Sequence, residues 1–320
     1  MTSAASTTFT FPEGQGGLPT VHALHPSGST FVCYLFGAHV ASWQVASPQG
    51  GSGQEMLFIS REAIFDGKKP IRGGIPLVFP QFGGGALPSH GFARRSTWQV
   101  HSVAGDTLTL ALADSESTRE MWGNRFELLY AVTLGAHSLS TELRVRNRGD
   151  ASFDFQALLH TYFNLGQSLA KARIDGLEGA TFADKLQDGK VMTQPVDGEG
   201  ITFTEETDRI YFGDKIPGEV VLSGIGDGES KDCVVDDAPY SRARISVAVT
   251  GGRSKHDFVV WNPWEAKAKR MGDFGDDEYH SMCCVEPGFV KEWETLAPNS
   301  MWSISQTITA MPGDDDGSRL

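Results

Sequence analysis

The sequence predicts an all-β chain, a sandwich or barrel of many short strands, and three observations predict it. Short runs rich in β-branched, aromatic and aliphatic residues recur at close spacing. Gly, Pro and Asp punctuate them. Helical periodicity is weak, and no strand–helix alternation marks a doubly wound parallel sheet.

Taken in order, "TVHALH" and "TFVCYLFG" flank the turn-like "PSGS", and "HVASWQVAS" follows. Next come "TLTLALAD", "FELLYAVTLG" and "SLSTELRVRNRG"; the last two are joined by a short Ala136-His137 connection and read as a hairpin. "FDFQALLHTYFNL", "RISVAVTGG", "HDFVVWNPW", "SMCCVEPGFV" and "MWSISQTITAM" complete the strands. Two short helices are expected, in "STREMWGN" near 117 and "PWEAKAKRMGDF" near 265. No repeat or long linker divides the chain, so one domain is expected over 17–311, with flexible termini at 1–16 and 312–320.

The 320 residues suffice for a large core without disulfides or metals. A formal charge of −13 argues against nucleic acid and anionic membrane as partners, but not against an anionic small molecule. Nothing suggests an obligate interface, so a monomer is expected. Cys33, Cys233, Cys283 and Cys284 show no zinc spacing and read as reduced core thiols. The N-terminus lacks the basic and apolar regions of a secretory signal, and no apolar run approaches the roughly 18 residues of a membrane span. The last three residues, Ser318-Arg319-Leu320, are a variant of the Ser-Lys-Leu peroxisomal address. They predict import into a peroxisome-like organelle such as a glycosome, through its import receptor; a cytoplasmic location is the alternative.

One stretch departs from the acidic whole. From Gly67 to Gly105 there is no Asp or Glu, while Lys68, Lys69, Arg72, Arg94 and Arg95 fall inside it. Arg72 directly precedes Gly73-Gly74, and four prolines stiffen the segment. Arg72 and Arg94, arriving from the two ends of a stiff loop, could clamp a phosphate or carboxylate. Lys68, Lys69 and Arg95 read as solvated charges. His160 follows an apolar strand run beside aromatic residues, where it is either a packed core residue or a proton carrier. Glu286 stands alone at the end of an apolar strand before Pro287-Gly288, where desolvation should raise its pKa toward that of a general base. No nucleophile elbow, dinucleotide loop, phosphate loop or zinc-protease motif occurs.

Six motifs in order resemble those of the glucose-6-phosphate 1-epimerases, mutarotases of the aldose 1-epimerase superfamily. They are "KPIRGGIPLVFPQFG", "HGFAR", "LHTYFNL", "ETDRIY", "VVWNPW" with "KAKRMGDFGDDEY", and "CCVEPG", spanning about 68 to 290. The resemblance implies a large antiparallel β-sandwich of the galactose mutarotase-like supersandwich type, and a reaction that needs no metal or cofactor. It implies His160 and Glu286 as the catalytic pair, Arg72 and Arg94 as holders of a 6-phosphate, and Asp208 as a sugar contact. It further implies that His90 lines the pocket and that Ser89, where relatives carry Gln, reaches substrate only through water. The mechanism it implies has ionised Glu286 taking the C1 hydroxyl proton and protonated His160 donating to the ring oxygen. Three other readings stand beside it: a mutarotase for neutral aldoses, a sugar-phosphate binding protein without turnover, and a glycoside hydrolase built on Asp208 and Glu286.

Overall fold

The computed structural model describes residues 6–47, 53–166, 169–226, 239–252 and 255–312. Cys233 and the C-terminal Ser318-Arg319-Leu320 lie outside them. Among the described residues, strands assemble into three sheets, and every strand-to-strand pairing in them is antiparallel. The first sheet has five strands in chain order, from Thr8–Thr10 to Gln54–Glu55. The second has eight, with Met301–Met311 between Arg242–Thr250 and Ser138–Asn147. The third runs Lys190–Thr193, Thr181–Asp184, Thr207–Phe212, Asp257–Asn262, Met282–Leu296, Phe153–Leu159, Leu77–Val78. The two expected helices are short, Glu116–Met121 and Trp264–Ala268; Ser115 caps the first by accepting from the Thr118 N–H. No helix of the described residues is long and apolar enough to cross a membrane.

Alternation builds the hairpin read from the sequence. In Phe126–Leu134 every second side chain is buried, and the strand pairs with Ser138–Asn147 from Leu134↔Leu139 to Phe126↔Asn147. The second and third sheets meet through aromatic contacts. Trp302 lies edge-on to Phe155 at 5.1 Å and to Phe289 at 5.3 Å. Beside them the buried Gln306 Nε2 donates to Thr161 Oγ1 at 2.8 Å, so this polar pair is satisfied inside the core. Trp302→Ala is expected to remove about 3–5 kcal/mol of stability, read as a lower urea midpoint; an unchanged midpoint would show that the two sheets do not depend on this contact.

Two expectations are corrected. Residues 8–10, within the segment expected to be flexible, form a strand paired with Thr20–Leu24, because Phe9 packs on Phe31 and Thr7 bonds to Asp106. Glu286 is not at a strand end. Its strand continues through Pro287-Gly288 to Leu296, and Pro287 is accommodated opposite Phe258. The sequence pattern also leaves several short strands unmarked. Gln99–Ala104 is exposed along its whole length at a sheet edge, so it carries no alternation to read. Cys33, Cys283 and Cys284 are free, buried thiols.

Candidate active site

Residues paired across neighbouring strands share a face of the sheet. The third sheet pairs Asp208 with Trp261, Trp261 with Cys284, Tyr162 with Cys284, and Val259 with Glu286. Residues 284 and 286 are two apart on one strand, so this register gathers Asp208, Trp261, Tyr162 and Glu286 on one face. His160 stands just past the end of Phe153–Leu159, its backbone N–H donating to the Pro76 carbonyl at 3.0 Å. Its ring stacks on Tyr162 at 4.8 Å and meets Trp261 edge-on at 6.1 Å.

The basic glycine-rich segment forms the opposite wall. Gly73 and Gly74 both have positive φ, and a Cβ on either would lie 2.3 Å from a backbone oxygen, of Phe58 and Val40 respectively. Only glycine lets the chain pass that close and turn Arg72 inward. His90 holds a left-handed φ of 61° without being glycine, and its Nδ1 accepts from the Gly83 N–H at 3.3 Å. The proton of its neutral ring is thereby assigned to Nε2. Together the walls enclose a cavity of about 400 Å³ lined by Arg72, Ser89, His90, His160, Asp208 and Glu286, with Tyr162, Trp261, Lys185 and Lys267 beside them. Arg94 does not line the cavity itself. It sits behind the loop and donates from Nη2 to the Ser89 carbonyl at 2.8 Å. Arg95, Lys68 and Lys69 are exposed.

The sequence-predicted residues therefore meet at one place, with Arg94 behind the wall. Sequence reasoning missed Lys185 and Lys267, which reach Asp208 at 3.2 and 3.8 Å, and Asp273, which pairs with Arg72 at 3.1 Å. Lys267 and Asp273 lie inside a quoted motif; Lys185 had no signal at all.

The His160–Glu286 pair is the electrostatic centre. Glu286 is 1% exposed and His160 8%. Nδ1 and Oε1 are 3.3 Å apart, yet neither atom, nor Glu286 Oε2, has a hydrogen-bond partner among the described residues. Burial, and then the neighbouring Asp208, hold the Glu286 carboxyl well above the usual range. Burial, then His90, Arg94 and Arg72, hold the His160 imidazole well below its usual value. These two directions favour a neutral pair, with the proton on Glu286. This differs from the expected ionised Glu286 and protonated His160. The sequence could show that Glu286 would be desolvated, but not that His160 would share both the burial and the arginine field.

Arg94 is a poorly compensated cation. Burial, with opposition from Arg72 and Arg95, lowers its guanidinium to about 10, and its buried Nε has no partner among the described residues. Ligand atoms of His160, Cys284 and Glu286 lie within 4.8 Å of one another. Burial, and next Glu286, push the Cys284 thiol well above its usual range, so it rests as a thiol and any ion would first have to displace its proton.

Several buried histidines are held neutral, and this gives a stability signature. Burial lowers His39 and His90 to about 3 and His256 to about 4, from 6.5. Within that window the unfolded chain binds more protons than the fold, so these groups destabilise the fold progressively as the pH drops from 6.5 toward about 4. A melting series over that range is expected to fall less steeply for His39→Gln than for the native chain; parallel curves would contradict this.

The aldose 1-epimerase family model matches residues 19–309. A protein of Cenchrus ciliaris named "putative glucose-6-phosphate 1-epimerase" is 34% identical over 292 residues, 87% of this chain and 80% of its own. One of the same name from Escherichia coli K12 is 32% identical over 284 residues, 86% and 84% of the two chains. A crystal structure titled "putative mutarotase" from Salmonella typhimurium superposes with a TM-score of 0.77 at 28% identity, covering 95% of this chain and 94% of that one. With the family model spanning nearly the whole fold, and the cavity on the face of its third sheet, the chain belongs to the aldose 1-epimerase family, whose reaction interconverts the anomers of a sugar.

Proposed function

We propose that this epimerase acts on a hexose 6-phosphate, glucose 6-phosphate foremost. One observation carries the reading: the Arg72 guanidinium lines the cavity that holds the His160–Glu286 pair, and behind the cavity wall Arg94 keeps a buried Nε that has no partner among the described residues. A neutral sugar has nothing to offer such a cation, whereas a phosphate dianion offsets it. The names of the relatives from Cenchrus ciliaris and Escherichia coli support the same substrate.

The reaction needs one proton acceptor and one donor about the anomeric centre, and the pair holds a single mobile proton. Before substrate binds, the opposite shifts of the two groups favour this proton on Glu286. A phosphate held by Arg72 cancels part of the arginine field that lowers His160, and favours transfer across the 3.3 Å gap to the imidazole. Glu286, now ionised, takes the proton from the C1 hydroxyl while His160 protonates the ring oxygen. The ring opens to the aldehyde, rotation about C1–C2 exchanges its faces, and closure reverses both transfers. The phosphate holds C1 and the ring oxygen between the two groups. Asp208, flanked by Lys185 and Lys267, is placed to accept from sugar hydroxyls, and His90 presents its Nε2–H from the opposite wall.

The test is anomer-exchange NMR with α-glucose 6-phosphate, free glucose and free galactose. The reading expects the phosphate to exchange with much the highest kcat/KM. Equal values would favour a neutral-aldose epimerase, and binding without exchange a non-catalytic sugar-phosphate protein.

A further inference from the structure

Arg72 spends much of its hydrogen-bonding capacity on the protein itself. Nε and Nη2 donate to the two oxygens of Asp273 at 3.1 to 3.2 Å, a side-on bidentate pair. Nη1 donates to Tyr162 Oη at 3.2 Å. Of the five N–H groups of a guanidinium, those on the Nε–Nη2 edge serve Asp273 and one on Nη1 serves Tyr162, leaving the second N–H of Nη1 while the side chain still lines the cavity.

Asp273 is fixed by the scaffold that fixes Arg72. Phe274 is buried and packs on Phe58 at 5.7 Å. Glu278, also buried, accepts from the Gly275 N–H at 2.8 Å, from Ser60 Oγ at 2.6 Å and from the Arg61 N–H at 2.8 Å. The Ser60 N–H in turn donates to the Arg72 carbonyl at 3.1 Å. One buried carboxylate thus fastens the 273–278 turn to the segment that carries Arg72.

From this arrangement we infer that Asp273 is a positioning residue for substrate recognition: it clamps the Arg72 guanidinium along its Nε–Nη2 edge so that the remaining N–H of Nη1 is presented to a phosphate in a fixed direction. The inference rests on the 6-phosphate reading. It also divides the work between the two arginines. Arg72, neutralised by Asp273, supplies direction; Arg94, with no ion-paired carboxylate among the described residues, supplies net charge from behind the wall. The opposite role for Asp273 is a plug, a carboxylate that occupies the phosphate position and must be displaced. The two roles predict opposite signs.

The test is steady-state anomer exchange by Asp273→Ala and Asp273→Asn, with inorganic phosphate as a competing probe. Positioning predicts that Asp273→Ala raises KM for glucose 6-phosphate about tenfold and weakens inhibition by inorganic phosphate in step, with kcat within about threefold. Any slow turnover of free glucose stays unchanged. Asp273→Asn recovers most of the native KM, because its amide oxygen still accepts from Arg72; this variant also preserves the test if the alanine variant folds poorly. A lower KM in Asp273→Ala would establish the plug and overturn the inference, and so would an unchanged KM or a loss confined to kcat. If the native enzyme itself shows no preference for glucose 6-phosphate over glucose, it is the substrate reading that fails.

Discussion

Glu286→Gln is expected to abolish anomer exchange almost completely, by on the order of 10²–10⁴-fold in kcat, with the fold intact. Gln keeps the shape of the side chain and removes its capacity to bind and release a proton. The position makes this loss hard to bypass. Glu286 is 1% exposed on the cavity wall, and the imidazole of His160 is its proton-carrying neighbour at 3.3 Å. A structural role for Glu286 predicts the reverse pattern. Its two oxygens have no hydrogen-bond partner among the described residues, so the carboxyl is costly to bury rather than stabilising. Glu286→Gln should therefore melt at the native temperature or above it, the usual exchange of stability for activity at such sites. Residual exchange close to that of the native enzyme would remove Glu286 from the mechanism.

The pair also sets the pH profile of kcat/KM. The competent state carries one proton on the pair. Acidification loses it when the second proton binds, which happens well below 6.5 because His160 is held down; alkalinisation loses it when the Glu286 proton leaves, well above 4.5 because Glu286 is held up. The profile should be bell-shaped with apparent values belonging to the pair. In Glu286→Gln the alkaline limb should disappear from whatever activity remains.

How much of this was legible in the sequence depends on the range of the interaction. Strands with one buried face, such as Phe126–Leu134, announce themselves by alternation; the wholly exposed edge strand Gln99–Ala104 cannot. His160, Glu286, Arg72 and Arg94 stood out because each is an anomaly within its own neighbours, a charge in an apolar run or beside paired glycines. Lys185 and Asp273 are ordinary in their local sequence and become part of the site only through pairing across about 23 and 201 positions of chain, to Asp208 and Arg72. The protonation of His160 was illegible for the same reason, since Arg72, Arg94 and His90 all reach it from the distant basic segment. The absence of acids from that segment was a real signal, yet it did not leave Arg72 unpaired, because the acid arrives from residue 273.

Arg72→Ala is expected to raise KM for glucose 6-phosphate about 30-fold, roughly 2 kcal/mol of charge-assisted hydrogen bonding, while kcat changes far less. The split follows from where the side chain reaches. Arg72 faces the cavity but is not among the groups that move protons, so its loss removes binding that substrate and transition state share. Arg72→Lys should recover little, because an ammonium group keeps the charge but cannot grip Asp273 with one edge and a phosphate with the other. Free glucose supplies the internal control: it has no phosphate to lose, so its KM should be indifferent to the substitution. A secondary effect should appear on the chemistry. Tyr162 joins the two halves of the site, accepting from Arg72 Nη1 and stacking on the His160 ring, and Arg72 is itself one of the charges that hold His160 low. Removing it should move the acid limb of kcat/KM upward in pH. An unchanged KM would show that the phosphate binds elsewhere. A raised KM with an unmoved acid limb would show that the clamp holds the substrate without tuning the histidine.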